Sequence, residues 1–168
     1  MHTFNKKNTI MLTFFTTLLI IFNSMIITAQ EKFEVGGKMS TTVTAKYEFA
    51  VGDIEGHIFQ INKSEGVNTS TGKNSMMDGA LIINNNFSDI INGNGHHQGY
   101  IIFSKEGDIT EAKWEGEVTT TMSGNIPNIK FKGKFTYTSG TGKFKNIQGG
   151  GTYKGEYISA NTYLVDWE

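Results

Sequence analysis

The strongest constraint in this chain is a period of two. Over 129–137, Ile129, Phe131, Gly133, Phe135 and Tyr137 alternate with Lys130, Lys132, Lys134 and Thr136. Successive side chains of a strand point to opposite faces, so this is the pattern of a half-buried strand and not of a helix. The same alternation runs through 39–49, where Met39, Thr41, Val43, Ala45, Tyr47 and Phe49 share one phase. It recurs over 113–119, where Trp114, Gly116 and Val118 oppose Lys113, Glu115, Glu117 and Thr119. Weaker strand signals cover 56–62, 75–84, 86–91, 97–104, 150–159 and 161–167. Turn-forming runs separate them: Asn92-Gly93-Asn94-Gly95, Glu106-Gly107-Asp108, Ser123-Gly124-Asn125 and Ser139-Gly140-Thr141-Gly142. No window carries a 3.6 period, and helix is expected only as a turn or two, for example over 64–72.

Eight or nine short strands at regular spacing predict an all-β chain, as a sandwich or a barrel. Glycine decides between them. Gly79, Gly99, Gly116, Gly133 and Gly155 fall inside predicted strands. A glycine there weakens a sheet unless it marks a bend or a close approach. Several in successive strands fit a small closed barrel that coils sharply. The expectation is a single antiparallel β-barrel of about eight strands, with a β-sandwich as the alternative.

The first residues read as an address. Lys6 and Lys7 precede an apolar run from Ile10 to Phe22, and Ile27-Thr28-Ala29 closes it with a small residue. This is the three-part pattern of a secretory signal peptide over 1–29, and its core is short against the ~20 residues a spanning helix needs. Taking 29 from 168 leaves a 139-residue domain over 30–168 that keeps all 20 Gly, with 13 Lys against 16 acids and a net charge of −3. The expected location is secreted or periplasmic, with no integral membrane segment once the signal is removed.

Composition excludes several chemistries. There is no Cys, hence no disulfide, thiolate nucleophile or cysteine-held zinc. All 15 basic residues are Lys, and a chain without Arg and with a slight negative charge is a poor nucleic-acid binder. Gly140-Thr141-Gly142-Lys143 fails as a phosphate loop. The place five residues before the Gly-Lys pair holds Tyr137, and Phe144 stands where a Ser or Thr is needed. Neither an Asp-rich calcium loop nor close His/Glu spacing is present, so no metal and no cofactor is expected.

Residues 135–155 include Phe135, the turn Gly140-Thr141-Gly142-Lys143-Phe144, and a glycine-led strand from Gly149 to Gly155. This segment resembles the late hairpin of the allene oxide cyclase-like and dirigent-like β-barrel superfamily, and related bacterial barrels of unassigned function. The likeness spans about 20 residues of the 139. It implies an eight-stranded antiparallel barrel with an apolar central cavity, in which such families hold or steer small molecules, and association into dimers or trimers through sheet faces. Gly140 and Gly142 are expected to supply positive φ angles, and Phe144 to plug one end.

Candidate chemistry follows from phase. His57 shares phase with Phe59 and Ile61, and Asp89 with Phe87 and Ile91, so both are expected to face inward. Asp78 lies in a segment that is apolar on both sides. An acid on an apolar face is costly unless paired or functional. His57, Asp78 and Asp89 are therefore the candidate acid–base group, with Phe59, Trp114, Tyr137 and Tyr153 as the candidate cavity wall. His96 and His97 point to opposite faces beside a Gly-Asn-Gly turn and are expected as a solvated loop pair. The lysines at 130, 132 and 134 are expected to form a solvated face. Asn62, Asn68 and Asn86 each start a glycosylation-type triplet, a pattern too short to weigh. The favoured function is an exported barrel binding a small apolar or aromatic molecule. The alternatives are a cyclase- or dirigent-type enzyme and a structural or interaction module of the cell envelope with a filled interior.

Overall fold

Two hairpins show how turn chemistry sets the connectivity. Asn92 and Gly93 take φ of 51° and 76°, and Glu106 and Gly107 take 53° and 89°. Two consecutive left-handed residues give the two-residue turn whose twist matches that of the flanking strands. The computed structural model describes residues 34–71 and 74–168, and the leader expected over 1–29 lies outside them. Eight strands follow in order: β1 (Gly36–Ala50), β2 (His57–Thr71), β3 (Leu81–Ile91), β4 (Asn94–Lys105), β5 (Asp108–Ser123), β6 (Ile126–Gly140), β7 (Gly150–Tyr157) and β8 (Thr162–Trp167). Each pairs antiparallel with its sequence neighbour, and β1 pairs with β8 from Gly37↔Trp167 to Thr42↔Thr162. The sheet is closed, which makes it a barrel and not a sandwich.

The strands are longer than the sequence suggests. Of the helical turn expected over 64–72, the described residues 64–71 belong to β2, which runs on to Thr71. The two strands expected over 75–84 and 86–91 are one strand, β3, preceded by a loop. Asp78 belongs to that loop. On β1 a bulge at Thr44 shifts the register between Val43, opposite Ser64, and Ala45, opposite Lys63. An extra residue flips every later side chain to the other face. Met39, Thr41 and Val43 therefore point inward, while Lys46 and Glu48 take over that phase. Tyr47 and Phe49 are thrown outside, 63% and 54% exposed.

β2 and β3 are polar on the inside and apolar on the outside. Their inward residues include Gln60, Asn62, Ser64 and Asn68, then Asn84, Asn86 and Ser88 between Ile82 and Ile90. Their outward ones include Phe59, Ile61, Val67, Leu81, Ile83 and Phe87. β5 to β7 follow the usual rule. Trp114, Phe131, Phe135, Tyr153 and Tyr157 face in, and Lys130–Glu156 and Lys134–Glu115 pairs lie outside at 3.7 and 3.1 Å.

One end of the barrel is shut. Met77 and Ala80 of the β2–β3 loop are buried there with Ile82, Phe103 and Trp167. Burying a side chain the size of Met77, Ile82 or Phe103 stabilises the fold by about 1.5–3 kcal/mol. Asn68 fastens the plug: its Nδ2 donates to Met77 O at 2.9 Å, and its Oδ1 accepts from Trp167 Nε1 at 2.9 Å. Phe144 packs against the same core. Gly142 takes φ of 56° beside Asp108, as expected. Gly140 does not take a positive φ; it leaves room for the Phe144 carbonyl. The opposite end, ringed by 51–56, 92–93, 124–127 and 158–161, is the mouth.

Candidate functional site

Behind the mouth lies a lumen of about 610 Å³, inside the roughly 300–1,000 Å³ range of small-molecule pockets. It has two unlike walls. The first is aromatic and comes from β5 to β8. Rings there meet edge to face: Trp114 and Tyr153 at 5.6 Å and 79°, and Phe131 and Tyr163 at 5.6 Å and 84°. Such pairs hold each other's orientation, so the wall is stiff.

The second wall is built of amides and hydroxyls from β1 to β3. At the mouth Lys46 Nζ pairs with Glu48 Oε1 at 2.8 Å, which holds that carboxyl below the usual carboxylate range. Gln60 Nε2 donates to Glu48 at 2.6 Å, and Asn62 Nδ2 donates to Gln60 Oε1 at 2.7 Å. The carboxylate can only accept, so it orients both amides in turn. Deeper in, Trp114 Nε1 donates to Asn84 Oδ1 at 2.9 Å, and Asn84 Nδ2 donates to Tyr163 Oη at 3.1 Å. Burial raises the Tyr163 hydroxyl's pKa. Thr41 Oγ1 and Ser64 Oγ lie beside that hydroxyl without hydrogen-bonding geometry.

His97 joins the two walls. It is 8% exposed, its ring meets Trp114 edge-on at 4.8 Å, and its Nε2 lies 3.0 Å from Tyr153 Oη. Burial, then the nearby His96, lowers its pKa to about 4, so the imidazole is neutral at pH 7. Burial also raises Tyr137 to about 12 and Tyr153 higher still. Both phenols therefore keep their protons.

The sequence candidates divide. Trp114, Tyr137 and Tyr153 line the lumen; Tyr137 sits toward its floor, with Oη 4.0 Å from Met76 Sδ. Phe59 does not line it. It shares the outward phase of Ile61, which is 44% exposed, and packs on Phe87 at 5.7 Å. His57 and Asp89 also face outward, since the apolar phase of β2 and β3 is the outer one. They do meet: His57 Nε2 lies 2.6 Å from Asp89 Oδ1, and Nδ1 lies 2.5 Å from Asp53 Oδ1. The two carboxylates raise the histidine's pKa. Asp78 is at the other end of the barrel, where its Oδ1 accepts from Ser70 N at 2.9 Å as a loop brace. The three expected acid–base residues are thus not gathered in one place.

Sequence reasoning missed His97 and the amide wall. His96 is on the surface with Glu117 Oε1 at 2.8 Å, but His97 is buried, against the expected solvated pair. Its phase with Gly99, Ile101 and Phe103 carried that signal. The three glycosylation-type asparagines all face inward, with Asn62 and Asn68 buried and Asn86 half-buried.

No family model, curated protein or solved structure matches the chain.

Proposed function

We propose that this protein is an exported carrier or receptor barrel that binds one small, largely apolar or aromatic molecule in its lumen. The observation that carries this reading is the lumen itself: about 610 Å³, open at one end, plugged at the other, and walled on one side by rigid aromatic rings. A barrel serving only as a scaffold gains by filling its interior, because a void forfeits dispersion contacts and destabilises the fold. Binding is favoured over acid–base catalysis because His57, Asp78 and Asp89 stand outside the lumen, and His97 is too weak a base to be poised near neutrality. The alternating charges outside β5 to β7 count against a lipid-facing barrel. No helix among the described residues is long and apolar enough to cross a membrane. Export rests on the charged, apolar and small-residue pattern of 1–29.

The test is native mass spectrometry of the protein purified from its source, with dye binding as the second arm. A hydrophobic fluorescent dye should bind the wild type at one site and be excluded by Val118→Trp, which fills the lumen. Dye binding unchanged in that variant, with no co-purifying molecule, refutes the reading. N-terminal sequencing of the mature protein tests export, with cleavage expected after Ala29.

A further inference from the structure

The polar wall holds more hydrogen-bonding capacity than the chain satisfies. Four buried side-chain atoms have no partner among the described residues: Thr41 Oγ1, Asn62 Oδ1, Ser64 Oγ and Asn86 Oδ1. All belong to the inward faces of β1, β2 and β3. Thr41 Oγ1 and Ser64 Oγ lie beside the Tyr163 hydroxyl, but the two amide carbonyls have no such neighbour, and buried polar atoms are nearly always paired, so both on one wall of one cavity call for an explanation. An ordinary core avoids them by using apolar residues, as β4 does inside with Ile101 and Phe103.

Two of the orphans form a pair. Asn62 and Asn86 are directly opposite each other on β2 and β3, and both line the lumen. Cross-strand neighbours place their Cβ atoms about 5 Å apart. Asn62 is 5% exposed, and its orientation is fixed from the mouth. Glu48 takes the Gln60 amide protons, Gln60 takes those of Asn62, and the Asn62 carbonyl is left over. The buried atom left without a partner on each amide is its carbonyl oxygen. Rotation about the last torsion of an asparagine is soft, so the Asn86 carbonyl can turn toward an occupant of the lumen, while Asn62 keeps the orientation that Gln60 sets. Charge is already balanced: Lys46 and Glu48 neutralise each other, and His97 is uncharged at pH 7.

We propose that the ligand is an uncharged aromatic compound carrying adjacent hydroxyl groups, whose O–H donors seat on the carbonyls of Asn62 and Asn86 while its ring packs on the Trp114–Tyr153 wall. This rests on the lumen being a binding site. A hydroxyl fits better than an amide N–H, because its oxygen can also accept from the hydroxyl of Thr41, which lines the lumen. A cation is not the expected occupant, since the wall offers no unpaired carboxylate to offset its desolvation.

Both tryptophans of the chain, Trp114 and Trp167, line the lumen, so intrinsic fluorescence reports its occupancy. The full chain is titrated with three probes of equal ring size: 2,3-dihydroxynaphthalene, 2,3-dimethoxynaphthalene and naphthalene. The diol should bind tightest, by roughly tenfold over each of the others, as expected for satisfying buried acceptors. Asn62→Leu should abolish the diol's advantage over naphthalene. Equal affinities for all three probes in the wild type overturn the inference and leave the binding function standing. Quenching by none of the three overturns both. The wild-type comparison decides the matter even where the variant does not fold.

Discussion

Tyr153 of β7 reaches over two intervening strands to His97 of β4, and it can do so because Gly116 and Gly133 lie beneath it. The two glycines are cross-strand partners, and Gly116 is also opposite His97, as Gly133 is opposite Tyr153. A Cβ on either would come within 2.5 Å of the Tyr153 oxygen. A Cβ on Gly116 would also overlap the Lys132 carbonyl. Gly116→Ala should therefore push the phenol off His97 and destabilise the barrel by roughly 1–3 kcal/mol. Tyr153→Phe, which loses only the hydrogen bond, should cost about 1 kcal/mol. Urea unfolding of the two variants checks this. An alanine at 116 within about 0.5 kcal/mol of wild type would mean the glycine pair is not there to admit the ring.

The neutral His97 makes the fold acid-sensitive. Its pKa is about 4 when folded and 6.5 as a free side chain, so below pH 6.5 the unfolded chain takes up the proton more readily. Stability then falls as the pH drops from 6.5 toward 4 and levels off below. The loss between pH 7 and pH 5 is roughly 2 kcal/mol. His97→Gln should remove most of that slope. A variant with the same slope as wild type over pH 5–7 would place the proton elsewhere.

How much of this was legible in the sequence turns on which strands obey the rule that apolar means inside. Over 129–137 they do, and the lysine face and the inward Phe131, Phe135 and Tyr137 follow from the alternation. The closed antiparallel topology follows too, from strand spacing and strand-interior glycine. On β2 and β3 the rule is inverted, and that is why His57, Phe59 and Asp89 read as inward. The polar stretch over 64–72 reads as a helical turn for the same reason, although Asn68 is fully buried between Met77 and Trp167. The bulge at Thr44 was invisible because Ala45, Tyr47 and Phe49 continue the apolar alternation of Met39, Thr41 and Val43, and a pattern of period two holds no mark of a skipped residue. The amide wall could be found only by knowing which face closes inward.

The His57 clamp gives the mouth its own pH dependence. Its ring bridges Asp53 of the β1–β2 loop to Asp89 of β3, with 14% of its side chain exposed. The hydrogen bond to Asp89, then that to Asp53, raises the histidine's pKa; the bond to His57 lowers that of Asp53. A raised histidine contributes stability that is fully present below pH 6.5 and lost as pH rises through its folded pKa. A depressed carboxylate contributes stability that is lost as pH falls through its own. The loop should be most firmly held between those limits, in mildly acidic solution. Proton NMR of His57 should show a midpoint above 6.5 that falls in Asp89→Asn, and amide exchange over 51–57 should quicken above the midpoint. A His57 midpoint at or below 6.5 would sink the clamp.

Asn84 is where the two walls are tied together, and its loss should expose the cost of an orphaned donor. Its Oδ1 is the acceptor for Trp114 Nε1, and its Nδ2 donates to Tyr163 Oη across the lumen. The indole N–H has no acceptor function of its own, so the amide has one usable orientation. Asn84→Leu keeps the volume but leaves a buried N–H without a partner, at about 1–3 kcal/mol. Trp114→Phe removes the donor at the cost of some packing. If the orphan dominates, Asn84→Leu should cost less in the Trp114→Phe background than in the wild type, with a coupling of roughly 1–2 kcal/mol measured by urea unfolding of all four proteins. Additive losses would show that Asn84 acts through packing alone, and that the aromatic and amide walls are energetically independent.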